Sequence, residues 1–175
     1  MKKLLFVLLF IPFIGNAQDH QLPEHFSCLE YFMGNWESET TGKAGKGIGK
    51  QSFAKEMNGR YITLNVETKF EPSEKYPEGE LHIDKGYISY DGFRKKIIYR
   101  QFNIEGYVNQ YVLDNSKEGI FVFETEAVEN VPKGFRARIT FEIVDENTFK
   151  EGFELAAPGK DYSGCIYNTW TRVKK

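Results

Sequence analysis

The sequence predicts an all-β fold, a single antiparallel up-and-down β-barrel of about ten strands with a short N-terminal helical cap. Three observations predict it. From Gly34 onward the chain divides into segments of about 7–13 residues separated by turn residues, the spacing of strands in a barrel or sandwich. Within several segments polar and apolar residues alternate, which gives a strand an inner and an outer face. No stretch sustains the helical period over more than three turns, so an α/β design is excluded.

Taken in order, the chain opens with Lys2 and Lys3, the apolar run Leu4 to Ile14, and the small residues Gly15-Asn16-Ala17. This is the pattern of a signal peptide, residues 1–17, cut after Ala17. An apolar run of about eleven residues is too short for a transmembrane helix, which takes about twenty, so no transmembrane anchor is expected. The leader has a bacterial character and places the mature protein in the periplasm or outside the cell. A polar lead, residues 18–27, follows, and the barrel is expected over 28–175. The apolar and aromatic residues Phe26, Leu29, Tyr31, Phe32 and Met33 support a short helical turn that caps the barrel.

The strands are expected to begin near Asn35, Gly47, Arg60, Glu80, Lys95, Tyr107, Ile120, Phe135, Thr148 and Gly164. Most breaks between them carry Gly, Asn or Asp, as in Asn58-Gly59, Asp91-Gly92 and Glu105-Gly106, residues that accept the positive φ of tight hairpins. Ile62, Leu64, Val66 and Phe70 share one parity, with Tyr61, Asn65, Glu67 and Lys69 on the other. Phe135, Ala137, Ile139, Phe141 and Ile143 likewise alternate with Arg136, Arg138, Thr140 and Glu142. In the segment after Lys95 the faces are mixed, Ile98, Arg100, Phe102 and Ile104 against Ile97, Tyr99, Gln101 and Asn103. A solid sandwich seldom tolerates that, whereas a barrel with a partly wet lumen can hold polar and aromatic groups inside.

Charge and motifs exclude several function classes. With 23 basic and 25 acidic residues the net charge is -2, and no basic stripe marks a nucleic-acid partner. The glycines and lysines of 42–50 fail as a phosphate loop, because Ala44 stands where the first glycine is needed and Gln51 where Ser or Thr is needed. Two cysteines, Cys28 and Cys165, are too few for a cysteine zinc site. Their places along antiparallel first and last strands put them roughly 23 Å apart, so no disulfide between them is expected. His20 and His25 precede the barrel, and His82 shares parity with Glu80 and Asp84, which reads as an outward, solvated face; no metal site is expected. Glu67, Glu124, Glu126, Glu142 and Glu151 read as solvated strand carboxylates, and no catalytic acid, base or nucleophile can be selected.

Gly34-Asn35-Trp36 opens the first strand and Arg172 closes the last. This pairing resembles the calycin superfamily, in which a basic residue of the last strand covers the indole of a Gly-x-Trp at the closed end of the barrel. The segments Leu29 to Glu37, Asn58 to Tyr61, Gly86 to Asp91 and Asn168 to Arg172 extend the resemblance over the mature chain, toward secreted bacterial barrels related to the nitrobindins. Nitrobindins hold haem through a histidine near the C-terminal strand, bind nitric oxide or isomerise peroxynitrite. Between Gly159 and Arg172 this chain has no histidine, so haem does not carry over and no cofactor is predicted.

The function expected is binding of a small, apolar or amphipathic molecule in the lumen. Asn168 and Trp170 share parity with Arg172 and are the expected ligand-binding residues of the last strand. Arg100 is an interior cation for a ligand carboxylate if Ile98 and Phe102 point inward, or a surface residue if Tyr99 does. Gly34, Trp36 and Arg172 are the structural closure. A nitrobindin-like haem protein or barrel isomerase, and a non-catalytic envelope interaction protein, are the alternatives.

Overall fold

A computed structural model describes residues 22–43 and 45–174. The leader expected at 1–17 and the first residues of the polar lead lie outside the described residues. A 3-10 helix, Glu24–Phe32, precedes ten strands: β1 Gly34–Gly42, β2 Gly47–Glu56, β3 Tyr61–Phe70, β4 Glu80–Asp91 and β5 Lys96–Asn103, followed by β6 Val108–Lys117, β7 Ile120–Glu129, β8 Arg136–Asp145, β9 Thr148–Ala156 and β10 Ser163–Arg172. Each strand begins within one residue of the position read from the turn chemistry. Every strand pairs antiparallel with its sequence neighbours, and β1 pairs with β10 to close the barrel. Among the described residues no helix is long and apolar enough to cross a membrane.

The helix is a plug. Phe26, Leu29 and Phe32 recur every third residue, and at three residues per turn a 3-10 helix stacks them on one face. All three are at most 1% exposed. Phe32 meets Phe53, Phe121, Phe141 and Phe149 with ring centroids 5.0–5.7 Å apart. Burial contributes roughly 1.5–3 kcal/mol for each such side chain, enough to hold a segment that forms no sheet bonds of its own. Leu22 is buried too, so the plug starts inside the segment read as a polar lead.

Arg172 ties this plug to the sheet closure. It stands opposite Trp36 in the β1–β10 register, and its guanidinium carbon lies 4.1 Å from the Trp36 ring centre. It donates to the carbonyl oxygens of Met33 at 2.8 Å and Tyr31 at 2.5 Å, while the Trp36 indole N–H donates to the Phe32 carbonyl at 2.7 Å. Gly34 takes φ +113°, a value that lets the chain turn from helix into β1 without a Cβ clash. The barrel thus has one end sealed by aromatic rings. The other end, where β1 runs into β2, β3 into β4 and β5 into β6, is the mouth. Cys28 packs at the plugged end and Cys165 sits at the mouth end of β10, both as free thiols.

Candidate functional site

The mouth half of the lumen encloses a cavity of about 540 Å³. Its walls are apolar over Leu64, Val66, Ile139, Phe153 and Ile166, with Tyr99 among them. Set among these are Gln51 of β2, His82 and Asp84 of β4, Gln101 of β5, Glu151 of β9 and Asn168 of β10. Strand alternation aims them inward. Gln51, Val66 and Asp84 form one row across β2, β3 and β4, since Gln51 faces Val66 in one ladder and Val66 faces Asp84 in the next.

Two of these positions correct the sequence reading. His82 does share a face with Glu80 and Asp84, but that face is the inner one, and the His82 side chain is only 15% exposed. Glu151, grouped by sequence with solvated carboxylates, also points into the lumen. The reason lies in the neighbours that must face solvent. Lys85 has the parity opposite to His82 and Asp84 and is exposed, and a lysine costs more to bury than a paired Asp and His. The same logic places Arg100, which faces outward with its side chain 45% exposed and pairs with Glu129 at 2.7 Å. Tyr99 and Gln101 take the interior instead, 1% and 6% exposed. Arg100 is therefore not an interior cation.

A continuous hydrogen-bond chain fixes the inner polar groups. The Asn109 amide donates to the Tyr111 hydroxyl at 3.0 Å, and that hydroxyl donates to Gln101 Oε1 at 2.8 Å. Gln101 Nε2 in turn donates to Asp84 Oδ2 at 2.9 Å, and His82 Nε2 lies 3.2 Å from the same oxygen. The other ring nitrogen, Nδ1, is 3.1 Å from Glu105 at the rim. The hydrogen bond to Asp84 raises the His82 pKa to about 8 against the opposing effect of burial, with the charges of Asp84, Glu105 and Glu80 adding to the rise. Burial pushes the Tyr99 and Tyr111 phenols well above their usual range.

On the opposite wall Asn168 and Trp170 meet at one acceptor. The Asn168 amide donates to Glu151 Oε2 at 2.7 Å and the Trp170 indole N–H donates to it at 2.6 Å. Burial raises the Glu151 pKa, these two donors hold it back, and the charge of Asp84 adds to the rise. Asn168 lines the cavity as the sequence placed it; Trp170 is fully buried behind Glu151.

Several polar atoms of this lumen have no partner. Both amide atoms of Gln51, Oδ1 of Asp84 and Oδ1 of Asn168 are inaccessible and unbonded. These residues are 3%, 8% and 7% exposed. Buried polar groups are nearly always satisfied, by protein or by ordered water, and the hydroxyls of Ser38 and Thr40 on β1 belong to the same set.

The crystal structure of Rv2717c from M. tuberculosis is similar to this fold, with a TM-score of 0.65 and 13% sequence identity over 88% of this chain and 100% of that one. At that identity the likeness establishes the barrel fold alone. No protein-family model matches the chain. No curated protein sequence matches it.

Proposed function

We propose that the protein is an exported barrel that binds a small, partly apolar molecule in the mouth half of its lumen. The observation that carries this reading is the cavity itself, an apolar-walled space with Gln51, His82, Asp84, Gln101, Glu151 and Asn168 set in its lining. A cavity of about 540 Å³ suits a molecule of metabolite size. The Leu64, Ile139 and Phe153 walls suit its apolar part. Export rests on the leader of residues 1–17, and kinship with calycins rests on the Gly34, Trp36 and Arg172 closure.

The donor set does not fit haem. Residues 159–172 contain no histidine, and His82, which lines the cavity, has a carboxylate at each ring nitrogen. His25 lies on the plug, stacked on Tyr90 with ring centres 4.3 Å apart. Native mass spectrometry of the protein purified from its own host tests the reading. A retained molecule at one per chain is expected; an apo mass alone, together with no binding of any apolar probe, would reject it.

A further inference from the structure

We propose that Glu80, His82 and Glu105 form a binding site for a divalent transition-metal ion of the zinc class at the mouth of the lumen, with Asp84 holding the imidazole from behind. The proposal is separate from the lumen-binding reading above and can fail while that reading stands. Glu80 and His82 stand two apart on β4, so strand alternation sets both on the inner face. Glu105 comes from the turn between β5 and β6, and that turn is fixed against β4. The Ile104 N–H donates to the Ile83 carbonyl at 3.1 Å and the Gly106 N–H to the Asn103 carbonyl at 2.8 Å. One ligand atom from each of the three residues lies within 4.8 Å of the other two. His82 Nδ1 and a Glu105 carboxylate oxygen are 3.1 Å apart. Two ligands about 2.1 Å from a tetrahedral zinc stand about 3.4 Å from each other, so small side-chain rotations close the set around an ion.

The surroundings of His82 are those of a metal-binding histidine. A ligating imidazole turns one ring nitrogen to the metal and donates from the other to a carboxylate, which fixes its tautomer and orientation. His82 has that second partner in Asp84 Oδ2, 3.2 Å from Nε2, and Gln101 Nε2 in turn holds the same oxygen at 2.9 Å. This leaves Nδ1, on the Glu105 side, for the ion. With the imidazole neutral, Glu80, Asp84 and Glu105 bring three carboxylates to one rim. Lys75 is the cation that interacts with Glu80 and Glu105, while Lys43 is turned to Ser163 at 2.6 Å. The rim therefore keeps negative charge, which a divalent ion in place of the His82 proton neutralises. One imidazole with two carboxylates favours a transition ion over calcium or magnesium, which prefer oxygen alone. Three protein ligands leave a fourth position free on the cavity side, since all three residues line the cavity.

The test is calorimetric titration of zinc into metal-stripped mature protein at about pH 8, which lessens competition from the proton, with magnesium as the control ion. One zinc per chain is expected, with a Kd of about 10 μM or tighter and no comparable binding of magnesium. Glu105→Gln, a substitution of equal size at a side chain 43% exposed, should weaken zinc at least about tenfold while circular dichroism keeps the parent signal. Glu80→Gln should do the same. Asp84→Asn should cost about tenfold through the loosened ring, and Glu105→Gln carries the test if that variant does not fold. The ring-nitrogen resonances of His82, identified by their loss in His82→Gln, should shift on zinc addition. A Kd weaker than about 10 μM, zinc held as tightly by both glutamate variants as by the parent, an unmoved His82 resonance, or magnesium bound as well as zinc would each overturn the site. The cluster would then be an ion-pair network, and binding of an organic molecule in the lumen would be untouched.

Discussion

Arg172→Ala should loosen the plug and lower the stability of the whole barrel. The guanidinium makes two charge-assisted hydrogen bonds to the carbonyls of Tyr31 and Met33 and covers the Trp36 ring. Hydrogen bonds from a charged donor are worth about 1.5–3 kcal/mol and a cation–π contact about 0.5–2 kcal/mol. Arg172 is half-buried and the terms overlap, so the low end applies, and the expected loss is about 3 kcal/mol. For a chain of this size roughly 2–4 °C accompany each kcal/mol, giving a fall in melting temperature of about 6–12 °C. Arg172→Lys should recover only part of it, because a single ammonium does not reproduce the planar two-carbonyl fork over an indole. Thermal unfolding followed by circular dichroism measures the loss, and tryptophan emission reports whether water reaches Trp36. The helix should also become more sensitive to protease, since Tyr31, whose hydroxyl contacts the Asp145 and Thr148 carbonyls at 2.7 and 2.9 Å, loses its backbone anchor. A melting point within 2 °C of the parent, by the conversion above, with unchanged emission would refute the closure argument.

Stability should fall as pH rises through the His82 titration. Its pKa is raised in the fold to about 8 from an ordinary 6.5, so its contribution is complete below pH 6.5 and lost as pH climbs past 8. The amount is at most about 2 kcal/mol, less what water at the mouth screens. Melting temperatures of the parent and His82→Gln between pH 6 and 9 decide it, and parallel slopes would reject the assignment. Gly86→Ala should also destabilise, by about 1–3 kcal/mol, because a Cβ there would overlap both the Arg100 carbonyl oxygen and the ring of Tyr99. An unchanged melting point would refute the close approach of β4 and β5 at this position.

The local chemistry of turns made the strand boundaries legible. Met57, Asn58 and Gly59 take φ of 49°, 59° and 76° in the link between β2 and β3, and Asn and Gly are the residues that accept such left-handed backbone most readily. The closure was legible for a different reason: Trp36 and Arg172 lie at matching distances from the two ends of a meander, so closing the sheet brings them together. The lumen was harder to read. Parity says which residues share a face and leaves open which face that is. On β4 the inner set is His82, Asp84, Gly86 and Ile88, and the outer set includes Leu81, 49% exposed. By hydropathy alone the mouth half of this strand reads inside out. The signal that resolves it is the long basic side chains, Lys85 on β4 and Lys96 with Arg100 on β5, which mark the solvent face where Asp and His, able to pair with each other, do not.

That inversion separates the two halves of one barrel by role. In the plugged half Phe32, Trp36, Phe141 and Phe149 pack ring against ring, and substitutions there should act through folding stability. In the mouth half the chain from Asn109 through Tyr111, Gln101 and Asp84 to His82 satisfies each group on its wall side and leaves Asp84 Oδ1 open. The same incompleteness recurs on the opposite wall, where Asn168 spends its N–H on Glu151 and leaves its oxygen open. Polar networks on two facing walls thus hold the mouth half, where packed rings hold the plugged half.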